Sequence, residues 1–233
     1  VFKREHHQRI HRVLLALDAP MLRSHHCHFG GGTAIVLSHG EYRESVDIDF
    51  LVSDIDAYRD LRKGLQTQQQ LETLFGIGHG PLASVPEIRA DQYGIRTRLS
   101  VATSIIKFKI VFEARINFDE PGPKDQIGGI STLSEVDLAA SKLLANVDRW
   151  ADAGVYSRDV IDLAMLELSK RAASQAFEKA ESAYGDAVKR DLHKAVDMLK
   201  GRPDRLAACL ENLAMDVPQA LMLDRLKRLA SCC

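Results

Sequence analysis

Along this 233-residue chain the spacing of hydrophobic positions changes near residue 132, and the change predicts two differently built halves. From Phe2 to about Ala19, Ile10, Val13, Leu14 and Leu17 recur at helical spacing, which predicts an amphipathic helix ended by Pro20. Alternation then takes over. In VDIDFLV, Val46, Ile48, Phe50 and Val52 share one face of a strand while Asp47, Asp49 and Leu51 share the other. Residues Ala57 to Leu74 follow a polar helical pattern, and GIGHGPLASVP is loop-like by its Gly and Pro content. YGIRTRLSVATSIIKFKIVFEARINF holds two alternating runs separated by ATS, the pattern of a long antiparallel hairpin. Its second strand is expected to bury Ile106, Phe108, Ile110 and Phe112 and to carry Lys107, Lys109, Glu113 and Arg115 on the opposite face. DEPGPKDQIGG, with two prolines and three glycines, reads as a linker.

Beyond that stretch helix formers dominate. Ser134 and Asp137 open a helix running to Trp150 in the manner of a capping box, a second helix starts near Ser157, and further helical runs extend to Ala230. The fold class expected is α/β: a mixed-sheet domain over residues 1–132 followed by a C-terminal helical bundle over 133–233.

Composition narrows the classes. With 45% hydrophobic and 27% charged residues the chain can bury a sizeable core. It has no apolar run of the roughly 18 to 20 residues that a membrane span requires, and its first residues lack the pattern of a secretory signal, so a cytoplasmic protein is expected. Lys and Arg balance Asp and Glu at 13 against 13 from residue 151 onward and 18 against 19 before it, so a nucleic-acid partner would need a local basic patch. The four cysteines, Cys27, Cys209, Cys232 and Cys233, show neither a disulfide framework nor a zinc spacing. The His25 to His28 cluster invites a metal reading, but consecutive residues entering a strand point to opposite sides and cannot all face one ion.

The strongest chemical signal lies in HFGGGTAIVLSHGEYRESVDIDFLV, His28 to Val52. Strand residues two apart share a face with backbones about 6.6 Å apart, so Asp47 and Asp49 can converge on one point. Paired carboxylates repel unless a cation lies between them, and a hard divalent ion such as Mg²⁺ suits such oxygens and brings phosphates with it. Gly30, Gly31 and Gly32 allow positive φ and close approach to a ligand, and a helix opening at Thr33 would turn its amide N–H groups toward an anion. Taken singly, a glycine triplet often marks a tight turn and D-x-D the wet face of an edge strand. Joined by a helix-length spacer, they predict a phosphate and metal site.

These residues resemble the polymerase-β-like nucleotidyltransferase superfamily. The stretch Gly31 to Phe50 is specifically similar to the AbiEii-type toxins and the related MenT-like toxins, with Gly-Gly-Thr followed by Arg43, Ser45, Asp47 and Asp49. Lys142 and Arg149, then Arg158, Asp159 and Asp162, match the family's second element. Lys142, Asn146 and Arg149 line one helical face, and Asp159 and Asp162 line another.

The resemblance implies a Mg²⁺-dependent (or Mn²⁺-dependent) enzyme transferring a nucleoside monophosphate from an NTP to an RNA acceptor, foremost the 3′ end of tRNA, with a cognate antitoxin as partner and no membrane. It implies Asp47 and Asp49 as catalytic metal ligands, and Gly31, Gly32, Thr33, Arg43, Ser45, Arg149 and Arg158 as substrate-binding residues. Lys142 would meet the triphosphate, and Asp159 would act as base or orient the acceptor hydroxyl, with the helical domain contributing to the active-site cleft. Glu113 is the candidate third metal carboxylate, with an ion pair to Lys109 or Arg115 as its rival role. Alternatives are a small-molecule nucleotidyltransferase with an acidic acceptor site, or a non-catalytic nucleotide-binding module. Lys107, Lys109, Arg149 and Arg158 lean toward a basic channel for RNA.

Overall fold

Short, heavily buried strands build a five-stranded mixed sheet: β1 (His28–Gly30), β2 (Ile48–Val52), β3 (Ser84–Ala90), β4 (Gly94–Val101) and β5 (Ser104–Phe112), in the order β1-β2-β5-β4-β3. The computed structural model describes residues 2–66, 72–76, 84–101 and 104–231. Its chain forms two units, Val1–Leu37 with Ser45–Ser134 and Ser38–Glu44 with Glu135–Cys233. Strands β1 and β2 pair antiparallel, β2 and β5 parallel, and β5, β4 and β3 antiparallel. The expected long hairpin is β4–β5, in register from Gly94 opposite Val111 to Val101 opposite Ser104.

The apolar face of the sheet is organised by aromatic rings. Phe50 lies with its centroid 5.6 Å from both Phe29 and Phe108, and all three are buried. Ile106, Phe108 and Ile110 of β5 are buried as their alternation requires. Phe112, at the strand end, is only half-buried and stacks on Tyr58 at 5.2 Å.

Several boundaries differ from the sequence reading, each for a local reason. The first helix, α1 (Glu5–Ala16), ends where Leu17 becomes extended. Pro20 instead lies in the first turn of α2 (Ala19–Ser24), where its missing N–H costs nothing and the Asp18 side chain accepts from Met21 N at 2.9 Å. Strand β2 starts at Ile48 rather than Val46, because the Val46 carbonyl lies 3.1 Å from His6 Nε2 and the Asp47 carbonyl accepts from Thr33 Oγ1 at 2.5 Å. The glycine-led helix α3 spans Gly31–Ser38, beginning two residues before Thr33.

Helix α4 (Ile55–Gly64) is capped by Asp54, which accepts from the backbone of Asp56 and Ala57; residues 67–71 of the expected polar helix lie outside the described residues, and Glu72–Leu74 form a further turn. Ser84 to Pro86, read as loop, belong to β3, an edge strand with an irregular register between Val85 and Arg89 that accommodates proline. Residues 77–83 of that loop lie outside the described residues. The expected linker folds instead as a hairpin, β6 (Gln126–Ile127) with β7 (Ile130–Ser131), turned by Gly128 and Gly129 at φ 59° and 81°. It belongs to the sheet unit, to which Leu133 N is tied by donating to Phe29 O at 2.9 Å.

The helical unit comprises α5 (Glu135–Arg149), α6 (Arg158–Leu166), α7 (Lys170–Tyr184), α8 (Ala187–Gly201), α9 (Pro203–Asn212) and α10 (Gln219–Ala230). Helix α5 packs on α6, α7 and α8, and the buried face of α7 is rich in alanine (Ala172, Ala173, Ala176, Ala180), which lets α5 approach closely. Asp137 is fully buried and accepts from Lys179 Nζ of α7 at 2.6 Å, a tertiary ion pair.

Because Phe50 fills the centre of the aromatic row, Phe50→Ala is expected to cost about 3 to 5 kcal/mol, read from urea unfolding as a lower midpoint.

Candidate active site

Antiparallel pairing sets Gly30 directly opposite Asp49, and the chain turns at Gly31 (φ 66°) straight into α3. Of the three glycines only Gly31 has a positive φ. A Cβ added there would lie 3.0 Å from Asp49 Oδ2 and 3.2 Å from Asp49 Cβ, so the helix N-terminus passes tightly against the carboxylate and a side chain there would be both strained in φ and crowded. Thr33 is buried, and its hydroxyl donates to the Asp47 carbonyl and lies 2.7 Å from Ser45 Oγ. With the Thr33 proton spent on Asp47 O, Ser45 is the donor of that second bond. Ser45 N donates in turn to His7 Nε2 at 3.1 Å, which requires an imidazole unprotonated at that nitrogen. Thr33 and Ser45 thus fasten α3 to the start of the carboxylate strand.

Asp47 and Asp49 do converge, and a cation lies between them. Lys109, in register with Asp49 on the adjoining parallel strand, donates to Asp47 Oδ2 at 3.1 Å and Asp49 Oδ1 at 3.2 Å. Partial burial pulls the Lys109 ammonium down, but the carboxylates of Asp49 and Asp47 outweigh it and raise the group above its ordinary value. Two carboxylate oxygens already gathered around one positive charge are a donor set that suits Mg²⁺ or Mn²⁺. The bridging role of Lys109 was not legible in the sequence, since it depends on the β2–β5 register.

Glu113 follows β5 and is buried, but its carboxylate is taken by Arg115, with Nε at 2.8 Å and Nη2 at 2.6 Å. Of the histidine cluster, His26 and His28 place a ring nitrogen each within 4.8 Å of one another and of a Glu120 oxygen, and His26 Nδ1 lies 3.2 Å from Glu120 Oε2. These nitrogen-containing donors could hold a borderline transition metal rather than Mg²⁺. Cys27 between them is buried, which pushes its thiol far up and leaves it inert. Cys27 and Cys209 are free; Cys232 and Cys233 lie outside the described residues.

The helical unit gathers the second set of predicted residues. Lys142, Asn146 and Arg149 share one face of α5, and Asp159 and Asp162 lie on α6. Lys142 Nζ contacts Asp159 Oδ1 at 2.9 Å and Asp162 Oδ2 at 2.6 Å, while Arg149 meets Asp159 through Nε at 2.6 Å and Nη2 at 2.9 Å. Arg43 grips Asp162 bidentately at 2.8 Å on each arm, and Tyr42 OH donates to the same carboxylate at 2.6 Å. Arg43 is therefore a brace within the helical unit. Asn146 is buried, with Nδ2 lacking a hydrogen-bond partner among the described residues. Arg149 is partly open and Arg158 exposed. Tyr156 and Ser157, just before α6, both adopt left-handed backbone (φ 51° and 52°), a strained approach to Asp159.

Burial works to raise the Asp159 and Asp162 carboxyls. The charges and hydrogen bonds of Lys142 and Arg149 on the first, and of Lys142 and Arg43 on the second, outweigh it and hold both below the ordinary 3.8. Burial and the facing Asp162 charge raise the Tyr42 hydroxyl well above its usual range, so it remains a donor.

Two outcomes follow. Gly31→Ala, strained in φ and crowded against Asp49, is expected to disrupt the site by more than its effect on the melting temperature suggests, read by comparing transfer activity with thermal melts. The depressed carboxyls contribute stability that is present above the unfolded value of 3.8 and lost as pH falls through the lower folded values. Asp162→Asn should therefore destabilise by about 3 kcal/mol or more near neutrality, with the gap to wild type beginning to narrow only as pH falls below 3.8 and closing toward the lower folded values, checked by melts across pH.

Comparison with known proteins places the chain in a family. The profile of the family described as "Nucleotidyl transferase AbiEii toxin, Type IV TA system" matches residues 13–230. No curated protein matches the chain. Two solved structures share the fold: a candidate nucleotidyltransferase from Helicobacter pylori (TM-score 0.54, 16% identity, covering 97% of this chain and 92% of that one) and JHP933 from Helicobacter pylori (TM-score 0.53, 16% identity, 99% and 92%). The profile match spans most of the chain, which therefore belongs to the AbiEii family of nucleotidyltransferase toxins of type IV toxin–antitoxin systems.

Proposed function

We propose that this enzyme transfers a nucleoside monophosphate from an NTP to a hydroxyl of an RNA acceptor, foremost the 3′ end of tRNA, and that a cognate antitoxin opposes it. The observation that carries the reading is the Asp47–Asp49 pair closed around a cation against the Gly31 backbone. In the reaction the acceptor oxygen forms a bond to the α-phosphorus, the bond from that phosphorus to the bridging oxygen breaks, pyrophosphate leaves, and the hydroxyl proton passes to water.

Asp47 and Asp49 would hold Mg²⁺ or Mn²⁺, which when bound supplies charge neutralisation at the attacking and leaving oxygens. Gly31 and Gly32 offer backbone N–H groups to phosphate at the start of α3, and Thr33 and Ser45 keep that turn fixed relative to the carboxylates. In the helical unit, Arg149 is partly open and Arg158 exposed, and Lys142, held by two carboxylates, positions Asp159 and Asp162. A carboxylate bound by two cations and held below its ordinary range is a poor proton acceptor, so Asp159 serves better as an orienting group than as a base. A cationic small-molecule acceptor is disfavoured by the basic groove bordering Lys109. An RNA acceptor also implies a cytoplasmic protein; among the described residues no helix is long and apolar enough to cross a membrane.

Incubation with MgCl₂, each α-labelled NTP and total tRNA tests the reading. Label should appear on tRNA and fall by at least about 100-fold in Asp49→Asn, the scale of losing one electrostatic contributor. An enzyme that binds NTP normally but labels no RNA overturns it. Lys109→Met removes the internal counter-ion, so the carboxylate pair should bind added MgCl₂ more tightly, seen as a larger MgCl₂-dependent rise in melting temperature than in wild type.

A further inference from the structure

The polar face of the sheet carries a charge pattern that nucleotide binding does not use. Hydrogen-bond register places Asp49, Lys109, Arg96 and Arg89 side by side across β2, β5, β4 and β3. Two residues along, on the same face, Lys107 stands directly opposite Arg98. At strand spacing the first row extends about 14 Å from the carboxylate pair. Arg89, Arg96, Arg98, Lys107 and Lys109 line one open groove of about 290 Å³, whose single lining carboxylate is Glu87.

Their internal partners are uneven. Arg89 pairs with Glu87 and Arg96 with Asp91, each at 2.8 Å, and Lys109 is held by Asp47 and Asp49. Among the described residues neither Arg98 nor Lys107 has a carboxylate partner, and both are exposed. Like charges directly opposite each other in a sheet are destabilising, so the Arg98–Lys107 pair is an arrangement that an external anion relieves.

We propose that this groove is the track for the single-stranded 3′ segment of the RNA acceptor, with Arg98 and Lys107 contacting its phosphates and Arg96 and Arg89 extending the path. The inference rests on the RNA-acceptor reading above. A triphosphate bound at Asp47 and Asp49 is too short to follow the row to β3, whereas a strand whose terminal hydroxyl lies at the carboxylates carries its phosphates outward along it. Neutralisation of backbone phosphates by Lys and Arg is the sequence-independent part of such binding, and it is salt-dependent.

The test compares wild type with the double variant Arg98→Ala, Lys107→Ala. Fluorescence anisotropy of a labelled single-stranded RNA oligonucleotide is followed over a KCl series, beside transfer kinetics with tRNA. Losing two phosphate contacts should reduce the log–log salt slope by about 1.4 and raise the KM for tRNA about tenfold or more, with the KM for NTP and the kcat at saturating tRNA within about twofold. The melting temperature should stay level or rise, because a like-charge pair has been removed. An unchanged slope and RNA KM overturn the track even if RNA is labelled. Loss of NTP affinity in place of RNA affinity overturns it as well, as does binding of an acidic peptide but not of RNA. If wild type binds RNA with a slope that the variant loses yet labels none, the track stands and the transfer reading falls.

Discussion

The pairing of Gly30 with Asp49 across β1 and β2 is the constraint on which the sheet unit's chemistry depends. It fixes how closely the start of α3 can pass the carboxylates, and it favours a residue without a side chain at Gly31, where positive φ and the nearby Asp49 both strain any other. The rest of the local sequence maintains that approach. Thr33 and Ser45 tie helix to strand, and His7 of α1 accepts the Ser45 amide from outside the motif. Each bond is modest, about 1 kcal/mol net, yet together they fix geometry to a degree that the burial of Phe50 alone would not.

The helical unit rests on a different economy of charge. Asp162 is fully buried and survives ionised because Arg43, Lys142 and Tyr42 all donate to it. Buried ion pairs contribute little net stability, but removing one member strands the others, so such a cluster acts as an all-or-none latch. Lys142 belongs to both carboxylates, and Asp159 therefore cannot change its protonation or position without altering Asp162. Arg43 enters this cluster although it is separated by one residue from Ser45, which belongs to the sheet unit. The motif containing Arg43, Ser45, Asp47 and Asp49 thus serves two ionic networks at once.

Periodicity made much of this legible. The β4–β5 hairpin, the buried Ile106, Phe108 and Ile110, the convergence of Asp47 and Asp49, and the common face of Lys142, Asn146 and Arg149 all follow from spacing along a single element. What was not legible depended on partners distant in sequence. Val46 leaves the strand where its carbonyl meets His6 and the Asp47 carbonyl takes the Thr33 hydroxyl. The prolines of the supposed linker sit beside a two-glycine hairpin that local composition does not distinguish from a flexible connector. The Lys109 bridge to Asp47 and Asp49 and the pairing of Arg98 with Lys107 were hidden because cross-strand register is invisible to a one-dimensional pattern.

That same register explains how one sheet face can serve both signs of charge. Parallel pairing of β2 with β5 brings acidic Asp49 beside basic Lys109, so the negative end of the row is neutralised where a metal would compete for it. Antiparallel pairing of β5 with β4 and β4 with β3 sets Arg96 and Arg89 next in line, where their charge is answered only in part by Asp91 and Glu87. The face therefore grades from a cation-binding end to an anion-binding end over four strands. On the proposed RNA-acceptor reading, this order lets the carboxylate end gather cations while the acceptor's polyanion is held a short distance away. The placement of the basic residues on β4, β5 and β3 leaves the carboxylate end to a cation, at the cost of the Arg98–Lys107 repulsion.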